Sequence, residues 1–425
     1  MPYKYAFVKR AKRSISNIPN LLTTLDISQS EFDYVISLPD EERYKKAIIE
    51  KSDGSDRIVY DPEKVLRKVQ RRINTRIFNQ RDNNNKGGLI SWPSYLYGSI
   101  PNSPKEYLEH LKSSGSDNKN LEPSDSICFS GTDSRDYIAC ASVHCGSKSI
   151  LKMDISDFFS NIHKSHVKKI FSELLKFPDE VADSLTSICS LGEHVVQGAL
   201  TSSYIASAVL FDIEPEIVKR LHYKKLSYTR LVDDMTVSSS KQDYDFVFAK
   251  RLISGMLEAK DLPVNLSKTV ISRCSTEGLV VHGLRVNYKE PRLPSTEVAR
   301  IRSSVKHLEL LARDPVYRVS RDYRKSFDRC QGRVNKLGRL GHRQHSVLLN
   351  RVLRIVPLPS KKDIYIVSRF VSRLEHLHPT LKGEYRYARL FNRAHSELNI
   401  LQRIFKGSAK KLRDRLKLVI PSYEK

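Results

Sequence analysis

Two adjacent acids, Asp233 and Asp234, stand between two β-rich runs, Leu226–Val232 before them and Met235–Ser239 after. Apolar runs of that length around a polar pair predict a tight hairpin with the acids at its turn. Asp residues in a turn are by themselves ordinary turn chemistry, because the short carboxylate bonds to its own backbone. They constrain the fold only if further acids join them.

A third acid comes from Ile150-Leu-Lys-Met-Asp154-Ile155-Ser-Asp157-Phe-Phe159. Ile150–Ile155 has the pattern of a short buried strand, interrupted near its end by Asp154. A carboxylate in an apolar strand is costly unless it is paired or binds a metal. Asp157 falls in the turn that follows and is expected to cap a helix. If the two strands are neighbours, Asp154, Asp233 and Asp234 meet, and such a cluster repels itself unless cations neutralise it. Hard oxygen ligands favour Mg²⁺, with Mn²⁺ as a substitute, and Mg²⁺ typically takes one or two carboxylates plus substrate phosphates. Two such ions roughly 3.5–4 Å apart stabilise the attacking and leaving oxygens of a phosphoryl transfer.

Five motifs follow one another over about 135 residues: Asp154-Ile-Ser-Asp-Phe-Phe, Gln197-Gly-Ala-Leu-Thr-Ser-Ser203, Tyr228-Thr-Arg-Leu-Val-Asp-Asp, Asn265-Leu-Ser-Lys-Thr269 and Val281-His-Gly-Leu-Arg-Val-Asn287. Their order resembles the successive palm motifs of bacterial reverse transcriptases of the retron-type and defence-associated group, related to group II intron enzymes. With the upstream region, the resemblance covers roughly residues 20 to 290. It implies an α+β, right-hand polymerase: fingers, a palm with an antiparallel sheet, and a helical thumb, with a helical C-terminal extension. The expected divisions are an N-terminal helical segment 1–43, fingers 44–149, palm 150–290, thumb 291–358 and basic extension 359–425.

The resemblance also implies roles. Asp154, Asp233 and Asp234, with Ile155 in the metal set, hold two Mg²⁺, Asp234 being the less direct of the pair. Lys268 faces the leaving pyrophosphate as a proton donor. Lys51 and Arg57, around the Ser52-Asp-Gly-Ser55 turn of a hairpin predicted over 44–62, clamp the triphosphate of a dNTP; Asp-Gly is itself a hairpin signal. Phe159 packs under the sugar and selects deoxynucleotides. Gln197 and Gly198 touch the nascent base pair, and Val232 packs against the primer end. The implied partners are a template RNA, often a dedicated noncoding one, the RNA–DNA duplex product and dNTPs, with an effector protein or a second copy of the chain left open, as is the primer. Antiphage defence is the implied role.

The chain also departs from the pattern. Cys140-Ala-Ser-Val-His144 has Cys where Asn is expected, and Val281-His282-Gly283 has His where Thr is usual. Both motifs go with retron-specific RNA handling, so the departures favour, slightly, a defence enzyme outside the retrons over one making a branched RNA–DNA hybrid. His144 itself reads as structural. Leu200 and Ser203 stand where prolines are common.

Charge points to the same class of partner. The chain carries 73 Lys and Arg against 48 Asp and Glu, a net +25, and residues 291–425 hold 32 against 11, or +21. So large an excess of one sign predicts a polyanion partner. Upstream, Lys64–Gln80 reads as an amphipathic helix whose Arg67, Lys68, Arg71, Arg72 and Arg76 face template phosphates. The six cysteines contain no Cys-x-x-Cys pair, which argues against a zinc site or disulfide framework and fits a reducing compartment. No apolar run nears the roughly 20 residues of a membrane span, and no signal peptide opens the chain, so the expected location is the bacterial cytoplasm. An inactive nucleic-acid-binding scaffold is the competing reading, against which all three acids are present.

Overall fold

Local capping starts the first two helices. Asn17 accepts a hydrogen bond from the Asn20 amide at the head of α1 (Ile18–Leu25). Ser28 and Glu31 form a reciprocal capping box on α2 (Gln29–Ser37). The computed structural model describes residues 5–9, 15–50, 54, 56–79, 89–101 and 134–422. It divides into two compact units, one ending at Arg292 and one spanning Leu293–Lys425.

In the first unit, the predicted hairpin pairs β1 (Tyr44–Glu50) with β2 (Asp56–Pro62), antiparallel from Tyr44↔Pro62 to Glu50↔Asp56. The basic helix follows as α3 (Lys64–Ile73) and widens into a π turn over Asn74–Phe78. Its apolar stripe, Leu66, Val69, Ile73 and Ile77, is fully buried. Its cationic face differs from expectation. Arg67 pairs with Asp61, Lys68 with Glu31 at 2.6 Å and Arg72 with Asp26 at 2.8 Å. At least three of the five expected phosphate contacts are thus engaged by the protein's own carboxylates, brought there by the packing of α1 and α2.

The central sheet comprises β3 (Leu96–Tyr97), β4 (Ser149–Met153), β5 (Ser227–Leu231), β6 (Asp234–Ser239) and β7 (Val270–Arg273), in the order β3-β5-β6-β4-β7. Only the β3–β5 pair is parallel. Helices cover it: α4 (Tyr137–Ser142) before β4, α5 (Asp179–Cys189), α6 (Ser202–Ala208) and α7 (Glu214–Tyr223) before β5, and α8 (Val247–Glu258) after β6. Leu151, Met153, Met235 and Val237 from the strands join Phe171, Leu185, Ile205, Leu221 and Ile253 in one apolar core. A two-residue hairpin, β8 (Val280–Val281) and β9 (Leu284–Arg285), closes the unit.

The second unit is helical throughout its described residues. Val298, Ile301 and Val305 of α9 (Ser295–Leu311) are buried, as are Phe327 and Val334 of α10 (Arg321–Arg339) and Leu348 and Val352 of α11 (His345–Arg354). After the break at Pro357 and Pro359, α12 (Lys361–Leu381), α13 (Tyr385–Leu401) and α14 (Lys406–Lys417) share a core of Val367, Val371, Leu374, Leu398 and Leu412. Buried Arg324 of α10 ties the halves together, with Asp363 at 2.7 Å and Glu397 at 2.9 Å. No described helix is long and apolar enough to cross a membrane.

A candidate polymerase active site

The register of one strand pair brings the acids together. β4 and β6 run antiparallel with Met153 opposite Met235. One step further along β4 is Asp154, and one step earlier on β6 is Asp234. Across the β5–β6 turn Leu231 pairs with Asp234, leaving Val232 and Asp233 as the two turn residues. Carboxylates 79 positions apart in sequence therefore share one end of the sheet.

Val232 has φ +62. A positive φ is uncommon outside glycine and a true outlier for a β-branched residue. The position is held by Arg230, which is fully buried and uses all five of its donor hydrogens. Nη1 donates to the Val232 and Ala206 carbonyls, both at 3.1 Å, and Nη2 to the Ser207 carbonyl at 2.8 Å. Nε and Nη2 meet the two oxygens of Glu214, also fully buried, at 2.6 and 2.7 Å. The Tyr228 hydroxyl donates to the same carboxylate at 2.7 Å. The sequence reading passed over Arg230, because a lone Arg inside an apolar run gives no sign of its partner.

Asp154 is 5% exposed. Its Oδ2 accepts from Lys268 Nζ at 2.9 Å and lies 3.3 Å from Asn265 Nδ2. Its main-chain carbonyl accepts from the Asn265 amide at 2.8 Å, and Ile155 next to it bridges Val264. The Ile155 side chain is buried, so only its carbonyl is suited to a cation. Desolvation, aided by Asp154, raises Asp233 above the ordinary carboxylate range, while Lys268 and Arg57 pull it back. Asp234, whose side chain is 52% exposed, is pushed up to about 6 by partial desolvation and then by Asp233 and Asp154, a shift that solvent screening at so open a site reduces. The hydrogen bond to Asp154 in turn raises Lys268 above the ordinary lysine range.

This is the electrostatic signature of carboxylates that lack enough positive charge, with Lys268 supplying part of it. The donor set fits hard divalent cations. It is not a closed cage, since no three His, Cys, Asp or Glu side chains among the described residues form a preformed ligand group. An open set is what Mg²⁺ tolerates, because waters and substrate phosphates fill its remaining positions.

The titration carries a stability prediction. The native state holds the Asp234 proton more tightly than an unfolded chain, whose value is 3.8. The stability from this group is therefore full below the unfolded value and is lost as pH rises through about 6. Without Mg²⁺, Asp234→Asn is expected to melt above wild type at about pH 8, the gap closing toward about pH 4. Melting curves across that range test it; equal midpoints at both ends would show that Asp234 carries no such strain.

Arg57 is exposed on β2, close enough for its charge to act on Asp233. Lys51 lies outside the described residues. Gln197 and Gly198 lie against the hairpin: the Tyr60 amide donates to the Gln197 carbonyl at 2.8 Å. Gly198 has φ +112, and a Cβ there would sit 2.3 Å from the Tyr60 carbonyl oxygen and 2.9 Å from its nitrogen. Gly198→Ala is expected to push the hairpin off and lower kcat/KM for dNTP roughly 10²-fold, the cost of about 1 Å of misplacement. Steady-state dNTP titration checks this, and an unchanged kcat/KM would dissociate the hairpin from nucleotide binding. Leu200, standing where proline is common, donates its amide to Gln70 Oε1 at 3.1 Å, a bond proline lacks the hydrogen to make.

Phe159 is half-buried beside buried Phe158, ring centroids 6.0 Å apart. Asp157 takes the N-cap position of the short helix Phe158–Asn161 but makes no capping hydrogen bond. Its left-handed backbone, φ +41, is not the extended one a side-chain cap requires. His144 is structural as expected: fully buried, it bridges Ser238 Oγ of β6 at 2.7 Å and Thr229 Oγ1 of β5 at 2.8 Å. The two departures meet each other, Cys140 Sγ lying 3.3 Å from His282 Nε2. Their occurring together was the available sequence signal, and it was not read as a contact.

No family model matches the chain. Retron Ec48 reverse transcriptase of Escherichia coli is 43% identical over 372 residues, covering 88% of this chain and 84% of its own. Retron Se72 reverse transcriptase of Salmonella heidelberg is 28% identical over 417 residues, covering 96% and 97%. Among solved structures, apo telomerase from Candida tropicalis aligns over 90% of this chain and 70% of its own, at TM-score 0.41 and 11% identity, too distant to bear on the fold. The departures at Cys140 and His282 thus stand in a chain whose curated relatives are retron enzymes, so they do not set it outside the retrons. The chain belongs to the retron reverse transcriptases, which are RNA-directed DNA polymerases.

Proposed function

We propose that Asp154, Asp233 and Asp234, with the Ile155 carbonyl, are the metal-binding end of a right-hand polymerase palm. The observation that carries this is their convergence at the β4–β6 end, with the pKa values of Asp233 and Asp234 raised and a lysine on Asp154 as partial counter-charge. Two Mg²⁺ ions bound there would neutralise the carboxylates and stabilise the attacking primer 3′-hydroxyl and the leaving oxygen at the α-phosphate. Arg230 holds the turn that presents Asp233. Arg57, with Lys51, clamps the triphosphate. Lys268 is the proton donor to pyrophosphate. Its bond to Asp154 opposes that role by raising its pKa, so the lysine serves as donor once Asp154 has another positive partner.

Phe159 sets sugar selection. Phe159→Ala is expected to admit ribonucleotides, lowering the dNTP:rNTP preference roughly 10- to 100-fold. Competition between dCTP and rCTP on one primer measures it, and an unchanged ratio would make Phe159 a core residue only.

The template is an RNA, by the chain's likeness to retron enzymes and its basic C-terminal third. We take it to be a dedicated noncoding RNA, its product a branched RNA–DNA hybrid and its role antiphage defence in the cytoplasm. Residues 291–358 are assigned as thumb and 359–425 as an RNA-holding extension. Sequencing the nucleic acid that copurifies with the chain tests this, since random cellular RNA would refute a dedicated template. Mg²⁺-dependent extension of an annealed primer tests the chemistry.

A further inference from the structure

The His282–Cys140 contact lies at the edge of the acid cluster, and its geometry is costly enough to ask what it does. β8 and β9 are joined by two residues, His282 and Gly283, with φ +46 and +76. Positive φ at both central positions is the pattern of a type I′ hairpin turn, which prefers Asn-Gly. A histidine accepts the left-handed region less readily than asparagine or glycine. An exposed turn would also send its ring to water, yet this side chain is only 11% exposed.

The ring is held from both sides. Nε2 lies 3.3 Å from Cys140 Sγ, and Nδ1 lies 3.7 Å from Asp234 Oδ2. Cys140 is fully buried on α4, and its sulfur is also 3.3 Å from Thr229 Oγ1 on β5. Thr229 meets His144, and His144 meets Ser238 on β6. A continuous polar path therefore runs from β5 and β6, the strands either side of the acid turn, through the thiol and imidazole to Asp234. The 3.7 Å separation is longer than a formed hydrogen bond, so the bond would form only on a shift of either side chain. A carboxylate only accepts, so Nδ1 would then carry the ring proton and Nε2 would accept the one thiol hydrogen, which otherwise goes to Thr229 Oγ1.

We propose that His282, backed by Cys140, is a positioning residue for DNA synthesis: it orients the Asp234 carboxylate toward the bound cations. This rests on the reading of Asp234 as a metal ligand. Strain at the turn is then the cost of placing an imidazole where a ligand's second oxygen needs a donor. Outer partners of metal ligands act in this way, fixing the ligand's direction without touching substrate.

The experiment pairs a Mg²⁺ titration of primer extension, with kcat and dNTP KM, with direct Mn²⁺ binding to the enzyme on annealed primer and template read by electron paramagnetic resonance, for wild type, His282→Asn, Cys140→Ala, the double variant and Asp234→Asn. His282→Asn suits the purpose because Asn-Gly is the favoured I′ pair, so the turn survives while the shorter side chain cannot span both neighbours. Its half-saturating Mg²⁺ is expected to rise roughly 10- to 100-fold, with dNTP KM at saturating Mg²⁺ close to wild type. Cys140→Ala, which leaves the turn untouched, is expected to shift the same way by less, and the double variant no further than His282→Asn alone.

A Mg²⁺ curve for both single variants that overlays wild type overturns the proposal. So does a fall in kcat with unchanged half-saturation, which marks a merely structural pair. If Asp234→Asn extends primers at the wild-type rate, the metal-ligand reading fails and takes the proposal with it. If Asp234→Asn is inactive while the His282 and Cys140 variants keep wild-type Mg²⁺ dependence, only the positioning role falls.

Discussion

Asp233→Asn abolishes dNTP incorporation while RNA and duplex binding survive. The substitution removes one negative charge from the turn and leaves a side chain of nearly the same shape, so the hairpin stays closed. Asp233 is raised by burial and by Asp154, and Lys268 and Arg57 offset only part of that, which leaves charge for a bound cation to neutralise. An amide neither attracts that cation strongly nor fixes its distance to Asp154. The expected fall in kcat is at least about 10³-fold, the scale of losing one preorganised electrostatic contact or more in a two-metal site. Single-nucleotide extension on an annealed primer measures the rate, and a filter or gel-shift titration measures binding. Wild-type extension by the variant would mean that the carboxylates at the β4–β6 end are not the metal site. Binding is expected to hold because the +21 charge of residues 291–425 does not depend on this turn.

Arg230→Met has the largest expected effect on stability. Arg230 and Glu214 are both fully buried, and Arg230 also holds three main-chain carbonyls, including that of Val232. Methionine fills much of the volume but leaves Glu214 as an unpaired charge in the core. Breaking a buried pair in this way costs about 3–5 kcal/mol, against a total stability of about 5–15 kcal/mol for an ordinary domain. Urea denaturation is expected to show a clear drop in midpoint. Adding Glu214→Leu is expected to recover part of the loss, because the orphan charge goes with it. What the double variant does not recover is activity, since the strained φ at Val232 then has no donor holding its carbonyl. A midpoint within error of wild type for Arg230→Met would show that the pair is not structural.

These predictions separate what was local in the sequence from what was not. The hairpin around Asp233 and Asp234, the strand ending at Asp154, the hairpin ahead of α3 and the structural role of His144 were all legible. Each rests on period, turn residues or a short motif, and those act between positions a few residues apart. The +21 of the C-terminal third was equally legible, because net charge requires no contact map.

The choice of partners was not legible. Local pattern left the neighbour of β4 open, and only the resemblance implied that the acids meet; the strand order β5-β6-β4 sets Asp154 next to Asp234. Burial alone turned Arg230 from one residue of an apolar run into the clamp on the turn that carries Asp233. The basic face of α3, read as a template track, meets acids from α1, α2's capping box and β2 instead. Cys140 and His282, 142 positions apart, looked like two separate departures from a pattern and are one contact. The chain's own residues determined which chemistry was available, through residue type and local period. Only the packed sheet decided which charges stand together, because the distance between remote side chains is a property of strand order and register.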